Sequence, residues 1–209
     1  MKIERVLKKD EKNVTLVLDN NEKLFLAFEV FIKSGLRKND EISESRFTSL
    51  IEENQTYHLK QKAFRLLGRR QHSAFELKLK LRQKGYKNDL ISSVVIQLLE
   101  SNYLNDYDFA KTFTEENIKN KLWGSRKIEA ELIKKGVDKE IITQVISEKF
   151  SNENQLEKAI ELGKKKYKSL VVRNTDKDKI QPKLYAFLLS KGYDYDIIKR
   201  MIDSIIEKK

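Results

Sequence analysis

Three segments of this chain say nearly the same thing: "KLRQKGYKNDLI" at residues 80–91, "ELIKKGVDKEII" at 131–142 and "FLLSKGYDYDII" at 187–198. Aligned on their glycines (Gly85, Gly136, Gly192), they share Leu81, Leu132 and Leu188, then Lys84, Lys135 and Lys191. After each glycine comes an acid (Asp89, Glu140, Asp196) and two aliphatic residues. A recurrence on the order of fifty residues marks a supersecondary unit rather than a heptad. Glycine tolerates the left-handed conformation that closes a helix and satisfies its last carbonyls, so each segment reads as helix, glycine stop, helix.

The apolar spacing supports this reading. In the first unit Ser73 and Glu76 stand at capping-box spacing, opening a helix that carries Phe75, Leu77, Leu79 and Leu81. The next helix places Leu90, Ile91, Val94, Val95, Leu98 and Leu99 on one stripe. Ile197, Ile198, Met201, Ile202, Ile205 and Ile206 repeat that stripe in the third unit, and Ile141, Ile142, Val145 and Ile146 a shorter one in the second. A further helix precedes each pair, at about 57–68, 107–122 and 154–168, because three short amphipathic helices can close a core that two cannot. Pro182, the only proline, is expected in the first turn of its helix. The "VVRNTDKD" loop before it lengthens the third unit. The N-terminal residues differ: "NVTLVLD" and "EKLFLAF" alternate apolar side chains around a turn. They predict a β-hairpin, followed by short helices at 29–34 and 43–53. The expected fold is mainly α: tandem three-helix modules in an elongated array, with boundaries 1–56, 57–106, 107–150 and 151–209.

Charge is distributed unevenly. The 209 residues carry a net +11, which favours a polyanionic partner such as nucleic acid or an acidic protein surface. Residues 57–87 hold ten basic residues against one acid, whereas 88–118 hold one against six. The helix dipole favours cations at helix C-termini and accounts in part for Lys84, Lys135 and Lys191. It does not account for Arg69 and Arg70 beside Lys78, Lys80 and Arg82. These five and Lys84 are the leading candidate contacts in the first module. Arg126, Lys127, Lys134 and Lys135 are the candidates in the second, and Lys183 and Lys191 in the third.

Catalytic chemistry finds little support. His58 and His72 have no motif around them. "GKKK" at 163–166 lacks the glycine and Ser/Thr positions of a phosphate-binding loop and reads as a helix end. Asp106 and Asp108 fit helix capping better than metal binding. Tyr86, Tyr103 and Trp123 could stack on bases, although aromatic residues at module junctions are more often packing. Cysteine is absent, which removes disulfides and thiolate metal sites. No apolar run approaches a membrane span or a secretory signal. The expectation is a monomeric cytoplasmic protein that is not an enzyme and uses no cofactor or metal.

These segments resemble the RecX recombination regulators. The resemblance lies in "AFRLLGRRQHSAFELKLKLRQKGY" (63–86), "YLNDYDFAKTF" (103–113) and the run Gly124, Ile128, Glu131, Leu132, Lys135 and Gly136. It covers about residues 60–150, with the third unit and the hairpin matching longer members more loosely. The chain departs from the family pattern at "TEENIKNK", where Glu115 and Glu116 replace arginines, and at Asn105, which replaces an acid. The resemblance implies a non-enzymatic modulator that binds RecA, free or in the groove of its filament on DNA. Such a modulator changes, and most often inhibits, filament assembly, ATP hydrolysis and strand exchange in homologous recombination, DNA repair and the SOS response. The alternative is a sequence-independent protein of single- or double-stranded DNA, using helix-turn-helix-like modules and the basic stripe. A nuclease is a distant third reading, since no paired acids stand at metal-binding spacing.

Overall fold

The structure, a computed structural model, describes residues 1–173 and 175–206, the last without its side chain. Asn174 of the expected "VVRNTDKD" loop and the Ile206 side chain expected on the last apolar stripe lie outside the described set. Two compact units divide the chain: residues 1–71 with 77–103, and residues 72–76 with those from 104 onward.

The first unit begins with a three-stranded antiparallel sheet of order β1 (Ile3–Lys8), β2 (Asn13–Leu18), β3 (Lys23–Ala27). The hairpin expected from the sequence is its β2–β3 half. Val14, Leu16, Leu18, Leu24 and Leu26 point into one core, joined by Ile3, Ile42 and Leu50. Helix α1 (Phe28–Ser34) follows β3 and ends on Gly35, whose φ of 69° reverses the chain. Helix α2 (Glu44–Leu67) is capped by Ser43 and runs unbroken through the two helices expected at 43–53 and 57–68. Its first half buries Leu50 under the sheet, and its second half buries Leu59 and Ala63. Between them Asn54 meets the edge of β3, accepting from the Ala27 amide at 2.8 Å and donating to the Phe25 carbonyl at 3.0 Å. One side chain thereby satisfies the two main-chain groups that another strand would have paired. Helices α3 (Ala74–Arg82) and α4 (Asn88–Glu100) complete the first repeat, with Gly85 between them at φ 85°. Leu77, Leu81, Ile91, Val94, Val95 and Leu98 are buried, and α4 packs on α2.

The second unit contains two further repeats. Helices α5 (Asp106–Lys121), α6 (Ser125–Lys134) and α7 (Lys139–Lys149) enclose Phe109, Ala110, Ile128, Leu132, Ile142 and Val145. Asn105 caps α5 by accepting from the Tyr107 and Asp108 amides at 3.0 and 3.2 Å, so the amide does a capping acid's work. Helices α8 (Asn152–Val172), α9 (Lys177–Ser190) and α10 (Tyr195–Ile206) enclose Ala159, Leu188, Ile198 and Met201.

Two expectations fail in the third repeat. "GKKK" is not a helix end but lies in the middle of α8. A glycine there costs about 1 kcal/mol relative to alanine. It is explained by the Met201 sulfur, which would lie 2.5 Å from a Cβ on Gly163. Pro182 is inside α9, beyond its first turn, on an exposed face.

Candidate functional site

The basic residues singled out from the sequence fall into two physically different groups. In the first unit, exposed Arg69 and Arg70 follow the end of α2, and Arg70 donates to the Gln71 carbonyl at 2.7 Å. On α3, Leu77 and Leu81 face the core. At 100° per residue, Lys78 and Arg82 flank that buried line on one side and Lys80 on the other. Arg82 is exposed and donates to the Asn88 side chain at 2.8 Å. Lys84 stands exposed in the turn beyond the helix. Among the described residues Arg69, Lys78, Lys80, Arg82 and Lys84 have no carboxylate within ion-pair distance. Lys78 and Lys80 are half-buried on α3.

In the second unit the cations are mostly engaged. Lys134 pairs with Glu131 at 2.8 Å, and Lys127 lies 3.9 Å from the same carboxylate. The hydrogen bond from Lys134, helped by the charges of Lys127 and Lys135, holds the Glu131 carboxyl below the usual carboxylate range. Arg126 pairs with Asp194. Lys135 pairs with Glu76 at 2.7 Å, with its side chain 24 % exposed, and stands over the Phe113 ring. Lys191 stands over Phe187, and Lys183 is exposed on α9.

Lys135 belongs to a joint that sequence reasoning did not foresee. The Ser73 hydroxyl donates to the Lys135 carbonyl at 2.6 Å, and accepts from the Glu76 amide at 3.0 Å. The Ala74 amide donates to Asp106 at 2.7 Å, so this aspartate caps α3 rather than only its own helix. The pattern recurs one repeat on: the Gly124 amide donates to the Lys191 carbonyl at 2.9 Å, and the Arg126 amide to the Gly192 carbonyl at 3.2 Å. Ser125 takes the place of Ala74, with Gln155 as its acceptor. The closeness is extreme at the glycines. A Cβ on Gly136 would meet Phe75 at 2.4 Å, and one on Gly192 would meet the Lys127 backbone at 2.2 Å, whereas Gly85 has open space.

The remaining candidates are structural or isolated. His72 is buried and His58 packs edge-on against Tyr57. Trp123 lies against Phe113, with the Lys121 ammonium 4.4 Å from its centroid. Tyr86 is half-buried beyond α3, and Tyr103 is exposed and meets Phe64 edge-on at 5.0 Å. Among the described residues no group of three His, Cys, Asp or Glu side chains is placed to hold a metal. None of the described helices is long and apolar enough to cross a membrane.

Comparison with known proteins places this geometry. Three family models match: "RecX, first three-helix domain" at residues 60–98, the second domain at 105–146 and the third at 153–202. A "Regulatory protein RecX" of Clostridium botulinum (strain Eklund 17B / Type B) is 33 % identical over 201 residues, covering 96 % of this chain and 93 % of the relative. The protein of the same name from Clostridioides difficile (strain 630) is 30 % identical over 207 residues, covering 98 % and 94 %. A solved structure described as "Crystal structure of regulatory protein RecX" superposes with a TM-score of 0.79 at 20 % identity, covering 100 % of this chain and 99 % of that one. The structure of RecX from Lactobacillus salivarius gives 0.65 at 24 % identity over 73 % of this chain and 97 % of that one. The two structures share the fold.

Proposed function

Because this chain belongs to the RecX family of regulatory proteins, we propose that it binds RecA, free and as a filament on DNA, and inhibits filament assembly, ATP hydrolysis and strand exchange. It acts by occupancy and not by catalysis, as a cytoplasmic monomer in recombination, DNA repair and the SOS response. The observation that carries the reading is the set Arg69, Lys78, Lys80, Arg82 and Lys84. Among the described residues these cations have no carboxylate within ion-pair distance, and Lys78, Lys80 and Arg82 stand on helix α3, ready for phosphates or acidic side chains. Arg70 borders the set. Arg126, Lys127, Lys134, Lys135, Lys183 and Lys191 contribute less, because most are already engaged within the chain. The functional division we assign sets the sheet-bearing residues 1–56 beside the three repeats 57–106, 107–150 and 151–209, with α2 running across the first boundary.

The test is binding of the full chain to RecA filaments on single-stranded DNA, read with the ATP turnover of those filaments. Replacing Arg69, Lys78, Lys80 and Arg82 by glutamate should abolish the effect on turnover. Unchanged inhibition by this variant would sink the assignment of the surface. The second reading, DNA binding without RecA, draws on the same cations. It is favoured if affinity for bare duplex equals that for the filament across a salt series.

A further inference from the structure

The outer face of the N-terminal sheet is a second candidate surface, with chemistry unlike that of α3. Strand pairing sets its rows: Leu7 opposite Thr15 opposite Phe25, and Arg5 opposite Val17 opposite Lys23. Lys9 and Asn13 continue the face, the Lys9 amide donating to the Asn13 carbonyl at 3.1 Å. The opposite face carries Val14, Leu16, Leu24 and Leu26 into the core. The outer face therefore displays the cations Arg5, Lys9 and Lys23 around an apolar centre, against exposed Glu4 at the bulge of β1 and exposed Asp19 just past β2. Phe25 is 62 % exposed and Leu7 46 %, while Thr15 and Val17 form a buried floor between them. Beside Phe25 a pocket of about 300 Å³ is lined by Lys9, Asn13, Thr15, Asn54 and His58 among others. Asp10, in the turn after β1, is held by the Asn13 side chain and the Lys12 amide, turned to its own loop.

The geometry points to this face as a binding site for single-stranded nucleic acid. A base stacks on the exposed Phe25 ring beside the pocket, and Arg5, Lys9 and Lys23 meet the flanking phosphates. An exposed aromatic ring on an antiparallel sheet, ringed by cations, suits unpaired bases because every base has a face to stack. A duplex keeps its bases stacked on one another and offers this ring nothing. Charge complementarity selects a polyanion, and the ring selects its single-stranded form. The site is distinct from the α3 cations and does not depend on RecA.

The test uses the full chain and fluorescently labelled oligo(dT), with a duplex of equal length beside it and no RecA present. Phe25→Ala should weaken oligo(dT) binding by about tenfold, leave duplex binding unchanged and leave the salt dependence unchanged, since stacking releases no counterions. Phe25→Trp should restore affinity. Arg5→Ala with Lys23→Ala should flatten the salt dependence by roughly 0.7 per lost phosphate contact. Ultraviolet cross-linking of oligo(dT) should map to the tryptic peptide 24–33. Circular dichroism confirms that each variant is folded. The inference is overturned if wild-type protein does not bind oligo(dT), if Phe25→Ala binds it as tightly as wild type, or if cross-links fall only on α3. A Phe25→Ala variant that loses filament binding but keeps oligo(dT) affinity would equally overturn it, and make this face a docking site for protein.

Discussion

The Ser73 hydroxyl donates to the Lys135 carbonyl at 2.6 Å, across 62 residues of chain. That bond closes the last turn of α6 with a side chain from the start of α3, satisfying a carbonyl that the helix itself leaves open. The equivalent bond one repeat later runs from main chain to main chain, Gly124 to Lys191. The glycine stop of each later repeat is thus both a turn and a docking point.

Substitution of the three repeat glycines should separate these two duties. Gly85→Ala meets open space and suffers only the left-handed backbone, about 1–2 kcal/mol. Gly136→Ala and Gly192→Ala add an overlap with Phe75 and with the Lys127 backbone. They should each cost at least about 3 kcal/mol in urea unfolding, taking backbone strain and overpacking together. Equal losses at all three would mean the contacts at the joint relax freely.

Charge reversal should split the basic residues the same way. Replacing Lys78 and Arg82 by glutamate should leave the unfolding midpoint nearly unchanged, because exposed charges contribute little to stability. Lys135→Glu sets a carboxylate against the half-buried Glu76 and should lose about 1–3 kcal/mol. Thermal unfolding of the single variants checks this. As a binding control Glu116→Lys is cleaner than Glu115→Lys, since Glu115 is engaged by Lys149.

Tyr193 offers a pH readout. Its ring is buried and its hydroxyl donates to the Leu122 carbonyl at 2.9 Å. Burial raises its ionisation well above the ordinary value of 10.0. The unfolded chain releases this proton near pH 10 and the folded chain holds it, so its contribution is whole below that pH and is lost as pH rises further. Tyr193→Phe should remove this alkaline loss, and should cost about 1–3 kcal/mol at neutral pH by leaving the Leu122 carbonyl unsatisfied. Urea unfolding at neutral and alkaline pH measures both effects.

Much of the architecture was legible because the repeat glycines are conformationally unambiguous: Gly85, Gly136 and Gly192 all have positive φ. What escaped the sequence did so for local reasons. Strand β1 was missed because its register shifts between Ile3 and Arg5, so its inward residues Ile3 and Val6 are not two apart. The single helix α2 was read as two because "EENQT" is polar, yet Asn54 there serves the sheet edge instead of a core. The "GKKK" stretch looked like a helix end because the packing partner that explains Gly163, Met201, lies far along the chain. The same distance hid the joint: nothing near Lys135 announces Glu76, and nothing near Arg126 announces Asp194. The location of basic clusters could be read from the sequence, whereas which cations are already engaged could not.

The continuity of α2 also changes what truncation should do. A fragment of residues 57–209 should unfold cooperatively and stay monomeric. A fragment of residues 44–209 retains Phe47, Leu50 and Ile51 without the sheet that covers them, and should self-associate. Light scattering on the two distinguishes this from a sheet that is dispensable at any cut.

Asn54 sits at a strand border from which a neighbouring molecule could extend the sheet. Its amide occupies the Phe25 carbonyl and the Ala27 amide in the manner of a visiting strand, so β3 cannot serve as a template there. Exchanging that one side chain for leucine would uncover a pair of main-chain groups next to an exposed phenylalanine. The loss would register less in the folding energy than in the shelf life of a concentrated solution, as slow intermolecular strand addition and fibril seeding.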